Sequence, residues 1–306
     1  MNSTMNATEI LQTFSTAIQQ VAEGTSPSVV SVGSEGRSGS GIAWDEGGHI
    51  VTAYHVVHGL EEVEVGLESG KTLTAKVVAS DRRSDVALLK VEEGLSPILR
   101  GDSDSLKVGQ FVLALANPFA TKASATSGII TGVRRDIGGW WGVDLKEAIV
   151  TDARVNPGYS GGPLVDASGK MIGMNVALIA NRGIAVPVSA ISKIVERLAT
   201  GKPMSRAYLG VVSNPVELPT DVQGLSDQGT GLIILSVESD SPAKRAGLAL
   251  GDVLLDFDGK TISGFHDLTA ALTEDAIGKE AKLKVLRGGK LEQLSVTPVA
   301  AAEREW

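Results

Sequence analysis

Residues 156–165 read Asn156-Pro157-Gly158-Tyr159-Ser160-Gly161-Gly162-Pro163-Leu164-Val165. A serine stands among glycines in a turn that opens directly into an apolar strand. Glycine reaches backbone conformations closed to other residues and lets the main chain approach a neighbour closely. Such a turn can aim the N–H groups of Gly158 and Ser160 at one point, the arrangement that stabilises an oxyanion. The plain alternative is a Gly-Pro-rich hairpin whose serine serves only the turn.

Outward from this turn the texture is uniform. From about Ser26 to Val188, short β-branched runs alternate with glycine-rich turns: 29–32, 41–44, 50–53, 63–67, 74–79 and 86–91, then 110–114, 128–133, 149–152, 163–165, 171–177 and 183–186. So many short strands with turn signals between them indicate an all-β sandwich or barrel pair, and the lack of long intervening helices excludes a parallel α/β sheet. Residues 190–200 read as a closing helix with Ile191, Ile194, Val195 and Leu198 on one face, stopped by Gly201, Lys202 and Pro203. Beyond it, strands are expected at 209–212, 231–237, 253–257, 281–287 and 291–298, with helices at 242–246 and 266–273, which makes a small α+β module. Before the β-rich region, Ile10, Leu11, Phe14, Ile18 and Val21 form one apolar stripe at helical spacing, with Thr8 placed to cap it. That helix packs either on its own domain or on a neighbouring subunit. The expected division is 1–25 as an N-terminal helical segment, 26–200 as the β-rich domain, 201–206 as linker, 207–300 as the second domain and 301–306 as a tail.

A length of 306 residues suits two domains at roughly 100–200 residues each. The apolar fraction of 42% supports a true core. With 28 basic and 36 acidic residues the net charge is −8, which argues against a nucleic-acid binder, since phosphate neutralisation needs a basic surface. The absence of cysteine excludes disulfides, thiolate catalysis and cysteine metal sites. No apolar run reaches the roughly 18 residues a membrane-spanning helix needs, and the N-terminal residues have neither the basic start nor the apolar core of a secretory signal. The expected compartment is cytoplasmic if the chain is complete as given, and extracytoplasmic if a signal or anchor has been removed.

A serine alone is a poor nucleophile and needs a base. The histidines are His49, His55, His58 and His266. His55 follows the apolar run 50–53 and begins what reads as one helical turn, so a rigid element carries it. His49 sits in a turn, His58 lies one turn later on an exposed side, and His266 belongs to the second module. The base in turn needs an orienting acid. Asp85 opens the apolar run 86–91, and a carboxylate buried there needs a partner; the Nδ1–H of a histidine supplies one. Asp81 is the rival position, and either aspartate could instead serve a turn. The order along the chain is His55, Asp85, Ser160.

With these residues on the page, the chain resembles the HtrA (Deg) family, trypsin-like serine proteases with a C-terminal PDZ domain. The resemblance rests on Gly39-Ser40-Gly41-Ile42, Thr52-Ala53-Tyr54-His55-Val56, Ser84-Asp85-Val86-Ala87-Leu88, Thr151-Asp152-Ala153, residues 156–163 and Gly183-Ile184-Ala185-Val186-Pro187. In the second half it rests on Tyr208-Leu209-Gly210-Val211, residues 241–248 and Gly251-Asp252-Val253-Leu254. It implies an all-β double barrel of the chymotrypsin/trypsin type followed by a small α+β PDZ domain, with His55 and Asp85 from the first barrel and Ser160 from the second. It further implies that Gly183, Ile184 and Ala185 form an edge strand pairing with substrate backbone. The PDZ loop of Tyr208, Leu209, Gly210 and Val211 would take a peptide carboxylate, with Leu209, Val211 and Leu268 lining the pocket for the last side chain; ordinary core packing is the alternative for these three.

What the resemblance implies about activity is endopeptidase cleavage of unfolded or misfolded proteins without cofactor or metal, in a homotrimer or multiple of trimers, with the PDZ domain recruiting peptide ends or gating the site. The alternative is a chaperone-like binder of unfolded chains with secondary proteolysis. Besides the missing exported or membrane-anchored start, two features depart from the family pattern. Tyr159 stands where asparagine is usual, and the loop 45–48 is short. Arg154 lies where trypsin-like enzymes build the floor of the specificity pocket; there it would favour acidic side chains, and otherwise it turns to solvent or pairs with Asp152 or Glu147.

Overall fold

The computed structural model describes residues 6–34, 37–118, 123–140, 143–179, 181–200, 207–218 and 228–301; the expected linker 201–206 and all of the expected tail but its first residue lie outside these. The chain divides into two units, Met1–Pro203 and Met204–Trp306.

The first unit opens with helix α1, Ala7–Thr25. Its cap is Asn6 and not Thr8: the Glu9 N–H donates to Asn6 Oδ1 at 2.9 Å, and the Asn6 N–H donates back to the Glu9 carboxylate at 2.9 Å. This reciprocal pair satisfies two otherwise orphaned donors of the first turn, which Thr8, already inside the helix, is not placed to do. After a 3-10 turn at Ser26–Ser28 come β1 (Val29–Ser34), β2 (Arg37–Ala43), β3 (His49–Ala53), the one-turn helix α2 (Tyr54–Val57), β4 (Glu62–Gly66), β5 (Thr72–Asp81) and β6 (Val86–Lys90). These strands close as a barrel in the order β1-β2-β3-β6-β5-β4. A second closed barrel holds β7 (Phe111–Ala116), β8 (Ser124–Trp140), β9 (Val143–Thr151), β10 (Pro163–Asp166), β11 (Met171–Ile179) and β12 (Arg182–Pro187), in the order β10-β11-β12-β9-β8-β7. Helix α3, Val188–Leu198, follows.

Closure removes the open edges of a flat sheet and gives each barrel one inward face to fill. Ile42, Ile50, Leu88 and Leu89 are fully buried in the first barrel, and Leu113, Leu115, Ile149, Leu164 and Ile172 in the second. Each such side chain contributes roughly 1.5–3 kcal/mol by leaving water. Between the barrels, the connecting segment makes a hydrogen-bonded seam: the Ile98 N–H donates to Ala43 O at 3.0 Å, and the Met171 N–H to Leu99 O at 2.8 Å.

Every expected strand of this unit falls on an observed one. The main difference is length. Strand β8 runs to Trp140 and forms a long ribbon with β9, whereas 128–133 was expected. The ribbon continues through residues 134–140 with repeated register shifts and positive φ at Arg134 and Glu147. Bulges of this kind let a strand continue through residues that break alternation.

The second unit contains β13 (Ala207–Tyr208), β14 (Val211–Glu217), β15 (Thr230–Val237), helix α4 (Pro242–Arg245), β16 (Val253–Phe257), β17 (Lys260–Thr261), helix α5 (Phe265–Ala271), β18 (Ala281–Arg287), β19 (Lys290–Val296) and β20 (Val299–Ala300). The main sheet runs β14-β15-β16-β18-β19, with β17 beside β16, while β13 pairs with β20 in a separate ribbon. The expected strand 209–212 is broken by Gly210, whose φ of +82° is left-handed. The expected strand 291–298 ends at Val296 because Pro298 cannot donate to a ladder. The core beneath the sheet includes Leu209, Leu232, Ile234, Leu254, Leu268 and Leu283.

Candidate active site

Strands β3 and β6 are antiparallel neighbours, with Ala53 opposite Val86. That register brings the residues after β3 and before β6 to one end of the first barrel. Two of them are His55, on α2, and Asp85, the last residue of the turn into β6. The Asp85 carboxylate receives two hydrogen bonds from one residue: the His55 backbone N–H reaches Oδ1 at 2.9 Å, and His55 Nδ1 lies 2.7 Å from Oδ2. The Asp85 carbonyl also accepts the Tyr54 N–H at 3.1 Å. Asp85 itself is only 3% exposed and sits at φ 55°, a left-handed conformation that aspartate tolerates better than most residues. The His55 side chain is 48% exposed. A carboxylate accepting at Nδ1 fixes the tautomer that leaves Nε2 as acceptor. Among the described residues Nε2 has no partner.

The rivals sort themselves by geometry. Asp81 accepts from the Arg83 and Ser84 N–H groups and the Ser84 hydroxyl, so it is the turn aspartate. His49 pairs with Asp45 at 2.7 Å at the other end of β3, and His58 pairs with the Tyr54 hydroxyl. Burial works against ionised Asp45, but hydrogen bonds from His49 and Gly47 and the charge of His49 hold its carboxyl below the usual range. The side chain of His266 lies outside the described residues.

Ser160 comes from the second barrel, in the turn before β10. Positive φ at Gly158 and Gly161, +86° and +87°, builds that turn. A Cβ on Gly161 would stand 2.1 Å from the Ser40 carbonyl oxygen, so only glycine fits. The turn and α2 both approach β2 at Gly39: a Cβ there would meet the Val56 side chain of α2 at 2.6 Å and the Ser160 carbonyl at 3.1 Å. The Ser160 hydroxyl donates to Val176 O at 3.2 Å. The structure thus joins His55 to Asp85 directly and brings the Ser160 backbone onto β2, with the Ser160 proton directed at a main-chain carbonyl of β11. Neither the Gly158 nor the Ser160 N–H donates to another group among the described residues.

Gly183, Ile184 and Ala185 are not an edge. They pair with Thr151, Val150 and Ile149 of β9 on one side and with Leu178, Ala177 and Asn175 of β11 on the other, so their backbone groups are taken. The open edge is on β11. Its pairing with β10 stops at Met174, and a bulge at Val176 follows, so residues 176–179 are bonded only to β12 among the described strands. Alternation of apolar residues does not reveal which strand outruns its neighbour, and the sequence carried no signal for this. Arg154 also differs from the pocket-floor expectation. Ala153 and Val155 on either side point into the barrel core, so Arg154 faces out and is exposed. It has no ion pair among the described residues, and the Asp152 carboxylate instead accepts the Ile129 N–H.

These observations can be set beside known proteins. Residues 39–174 match the family model of the trypsin-like peptidase domain, and residues 207–297 match that of the PDZ domain. The chain is 37% identical over 281 residues to "Protease Do-like 1, chloroplastic" of Arabidopsis thaliana, covering 85% of this chain and 63% of that one. It is 37% identical over 266 residues to a "Probable periplasmic serine endoprotease DegP-like" of Halomonas elongata, covering 85% of this chain and 56% of that one. The chain belongs to the HtrA/Deg family.

Among solved HtrA structures, the "HtrA-type protease AlgW with decapeptide" matches with a TM-score of 0.76 at 25% identity, covering 95% of this chain and 99% of that one. A serine endoprotease from Yersinia pestis matches with a TM-score of 0.74 at 26% identity, covering 93% and 98%. This chain spans little more than half the length of the curated HtrA/Deg relatives it matches.

Where the family usually has asparagine, Tyr159 turns its ring into the second barrel's core, beside Ala153, Val155 and Leu164. Burial pushes its phenol above the usual range, against a lowering hydrogen bond with Asn156. The ring thus anchors the turn to the core of the second barrel.

In the PDZ unit, Leu209 and Leu268 are core residues, 2% and 7% exposed, and Val211 packs against them. They form part of the apolar core of this unit. The Leu209 and Gly210 carbonyls accept from the Ala243 and Glu238 N–H groups, and the Tyr208 hydroxyl donates to Glu238. Strand β14 bonds only to β15 among the described strands and leaves its other edge open.

Proposed function

We propose that this chain is a serine endopeptidase in which Ser160 attacks the scissile carbonyl, His55 is the general base and Asp85 orients it. The observation that carries the reading is the two-point grip of Asp85 on His55, which leaves Nε2 without a partner among the described residues. For attack, the Ser160 hydroxyl turns from Val176 O to His55 Nε2, which accepts its proton as Oγ bonds to the carbonyl carbon. Asp85 stabilises the imidazolium that forms. The N–H groups of Gly158 and Ser160 receive the oxyanion, at about 3–4 kcal/mol per donor in enzymes of this kind. His55 then returns the proton to the leaving amine, and water releases the acyl group by the same route. Substrate backbone extends the sheet along residues 176–179 of β11, whose free edge ends at the nucleophile. The substrates are unfolded or misfolded chains. Cleavage of casein by the wild-type chain and its loss in Ser160→Ala test this; full activity in that variant ends the reading.

The PDZ unit binds peptide C-termini at the loop of Tyr208, Leu209, Gly210 and Val211, with the peptide as an added strand on β14. The open β14 edge supports this, as do related structures titled with bound peptides. Deleting residues after Gly201 separates two roles: altered cleavage of a small peptide means gating, and unaltered cleavage means recruitment. The chain assembles as a homotrimer or a multiple of trimers. Support comes from α1, where Ile10, Leu11 and Phe14 are exposed and Phe14 packs edge-on against Phe111 at 5.3 Å. Light scattering of wild type and Phe14→Asp tests it. No helix of the described residues is long and apolar enough to cross a membrane. The relatives named as periplasmic and chloroplastic support an extracytoplasmic site of action.

A further inference from the structure

Ser40 lies in β2 of the first barrel and is fully buried, yet every polar group it has is engaged around the Ser160 turn. Its N–H donates to the Ser160 carbonyl at 2.8 Å. Its carbonyl accepts the Thr52 hydroxyl at 2.7 Å. Its own hydroxyl accepts the Asn117 N–H at 2.8 Å, at the end of β7 in the second barrel. The same hydroxyl donates to the Gly158 carbonyl at 2.7 Å. A backbone N–H can only donate, so the Asn117 bond occupies a lone pair of Ser40 Oγ and leaves its proton for Gly158.

We propose that Ser40 is a positioning residue that holds the oxyanion-binding turn in its working conformation; this rests on the reading of Ser160 as nucleophile. Gly158, whose N–H is one of the two oxyanion donors, is a glycine at φ +86° and so has wide backbone freedom. Rotation about its own bonds re-aims both its N–H and its carbonyl. The peptide unit that joins Gly158 to Tyr159 is planar and is held at both of its polar ends, its N–H donating to Asn156 O at 3.0 Å within the turn and its carbonyl accepting from Ser40 Oγ. The Gly158 carbonyl is fixed from outside, by Ser40 alone among the described side chains. A single hydroxyl thereby ties both barrels to the turn. Alanine at position 40 would remove the donor to Gly158 and the acceptor for Asn117 in a buried site, where replacing them by water requires the turn to move.

The test uses the full chain and a chromogenic peptide substrate, with Thr52→Val as a matched control. Thr52 is also fully buried and also loses one hydroxyl bond to this network, but it does not touch Gly158. The expected result for Ser40→Ala is a kcat lower by about 100-fold, from loss of one oriented oxyanion donor. KM stays within about threefold, and the rising limb of the pH–rate profile does not move, because His55 and Asp85 are untouched. Thr52→Val keeps kcat within about threefold. Ser40→Cys keeps the side-chain shape with a poor donor, gives the same direction, and stands in if the alanine variant does not fold. A Ser40→Ala kcat within threefold of wild type overturns the proposal. So does an equal loss in Thr52→Val, since the effect would then be packing. A wild-type chain that neither cleaves peptide nor takes a serine-directed phosphonylating reagent at Ser160 refutes the nucleophile assignment instead.

Discussion

Asp85 and Asp252 are both almost completely buried, and both are gripped at two points. Asp85 in the first barrel is 3% exposed and bonded through both oxygens to His55. Asp252 in the PDZ unit is 2% exposed and bonded through both oxygens to Arg287, at 2.7 Å each. The difference lies in the partner. Each nitrogen of the Arg287 guanidinium is engaged: beyond Asp252 it reaches Glu292 at 2.9 Å and the Gly247 carbonyl at 2.8 Å. His55 spends one ring nitrogen on Asp85 and keeps the other free on a half-exposed face. A buried carboxylate needs a partner in either case. Whether the pair is structural or chemical depends on what the partner has left over. An always-charged fork engaged at each nitrogen staples a fold, and an imidazole with a free Nε2 can move a proton.

Breaking the comparison at the chemical end has the largest expected effect. Ser160→Ala lowers kcat/KM by about 10⁵-fold or more, measured on a chromogenic peptide, with little change in the thermal midpoint. Asp85→Asn preserves the shape of the pair but no longer secures the tautomer, and lowers kcat by about 10⁴-fold. At the structural end, Asp252→Asn leaves cleavage of a small peptide within about threefold. It lowers the thermal midpoint of the PDZ unit, by roughly 5 °C or more for a unit of this size, as read by calorimetry.

The pH dependence sharpens the same contrast. Burial alone would raise the Asp252 carboxyl, but the hydrogen bonds from Arg287 and the Ala249 N–H and the guanidinium charge outweigh it and hold the group below the usual range. The same contact holds the Arg287 guanidinium above its usual range. A folded-state pKa below the unfolded one contributes stability that is complete above about pH 4 and lost as pH falls through the folded value. The PDZ unit of the wild-type chain should therefore lose stability as pH falls below about 4, and Asp252→Asn should lose less over the same fall. The smallest effect is expected at Arg154, where alanine changes kcat/KM for peptides with an acidic residue before the cut by less than about threefold, because the side chain is in solvent.

The elements were legible because short β-branched runs and glycine turns encode strands locally. The run 86–91, the turn 156–163 and the helix at Pro242 were readable on their own residues, and Asp85 could be preferred because it interrupts an apolar pattern. What could not be read was set by non-local register. Gly183, Ile184 and Ala185 look like an edge strand until β9 is known to pair beside them, and the open edge of β11 exists only because β10 is short. Leu209 and Leu268 were apolar in either reading, and only packing decided for the core. Asn6 outcompeted Thr8 as cap because Glu9 was there to reciprocate. The role of Ser40 had no local signal at all: its four bonds go to residues 12 to 120 positions away.

The central claim is that Ser160 is a nucleophile made reactive by the His55–Asp85 pair. Its most direct test is covalent labelling with a fluorophosphonate, with the modified residue located by peptide mass spectrometry in wild type, Ser160→Ala and Asp85→Asn. The account predicts a single label on Ser160 in the wild-type chain, none in Ser160→Ala, and labelling slowed by at least about 100-fold in Asp85→Asn. Labelling at another residue, or equal rates in wild type and Asp85→Asn, would contradict it.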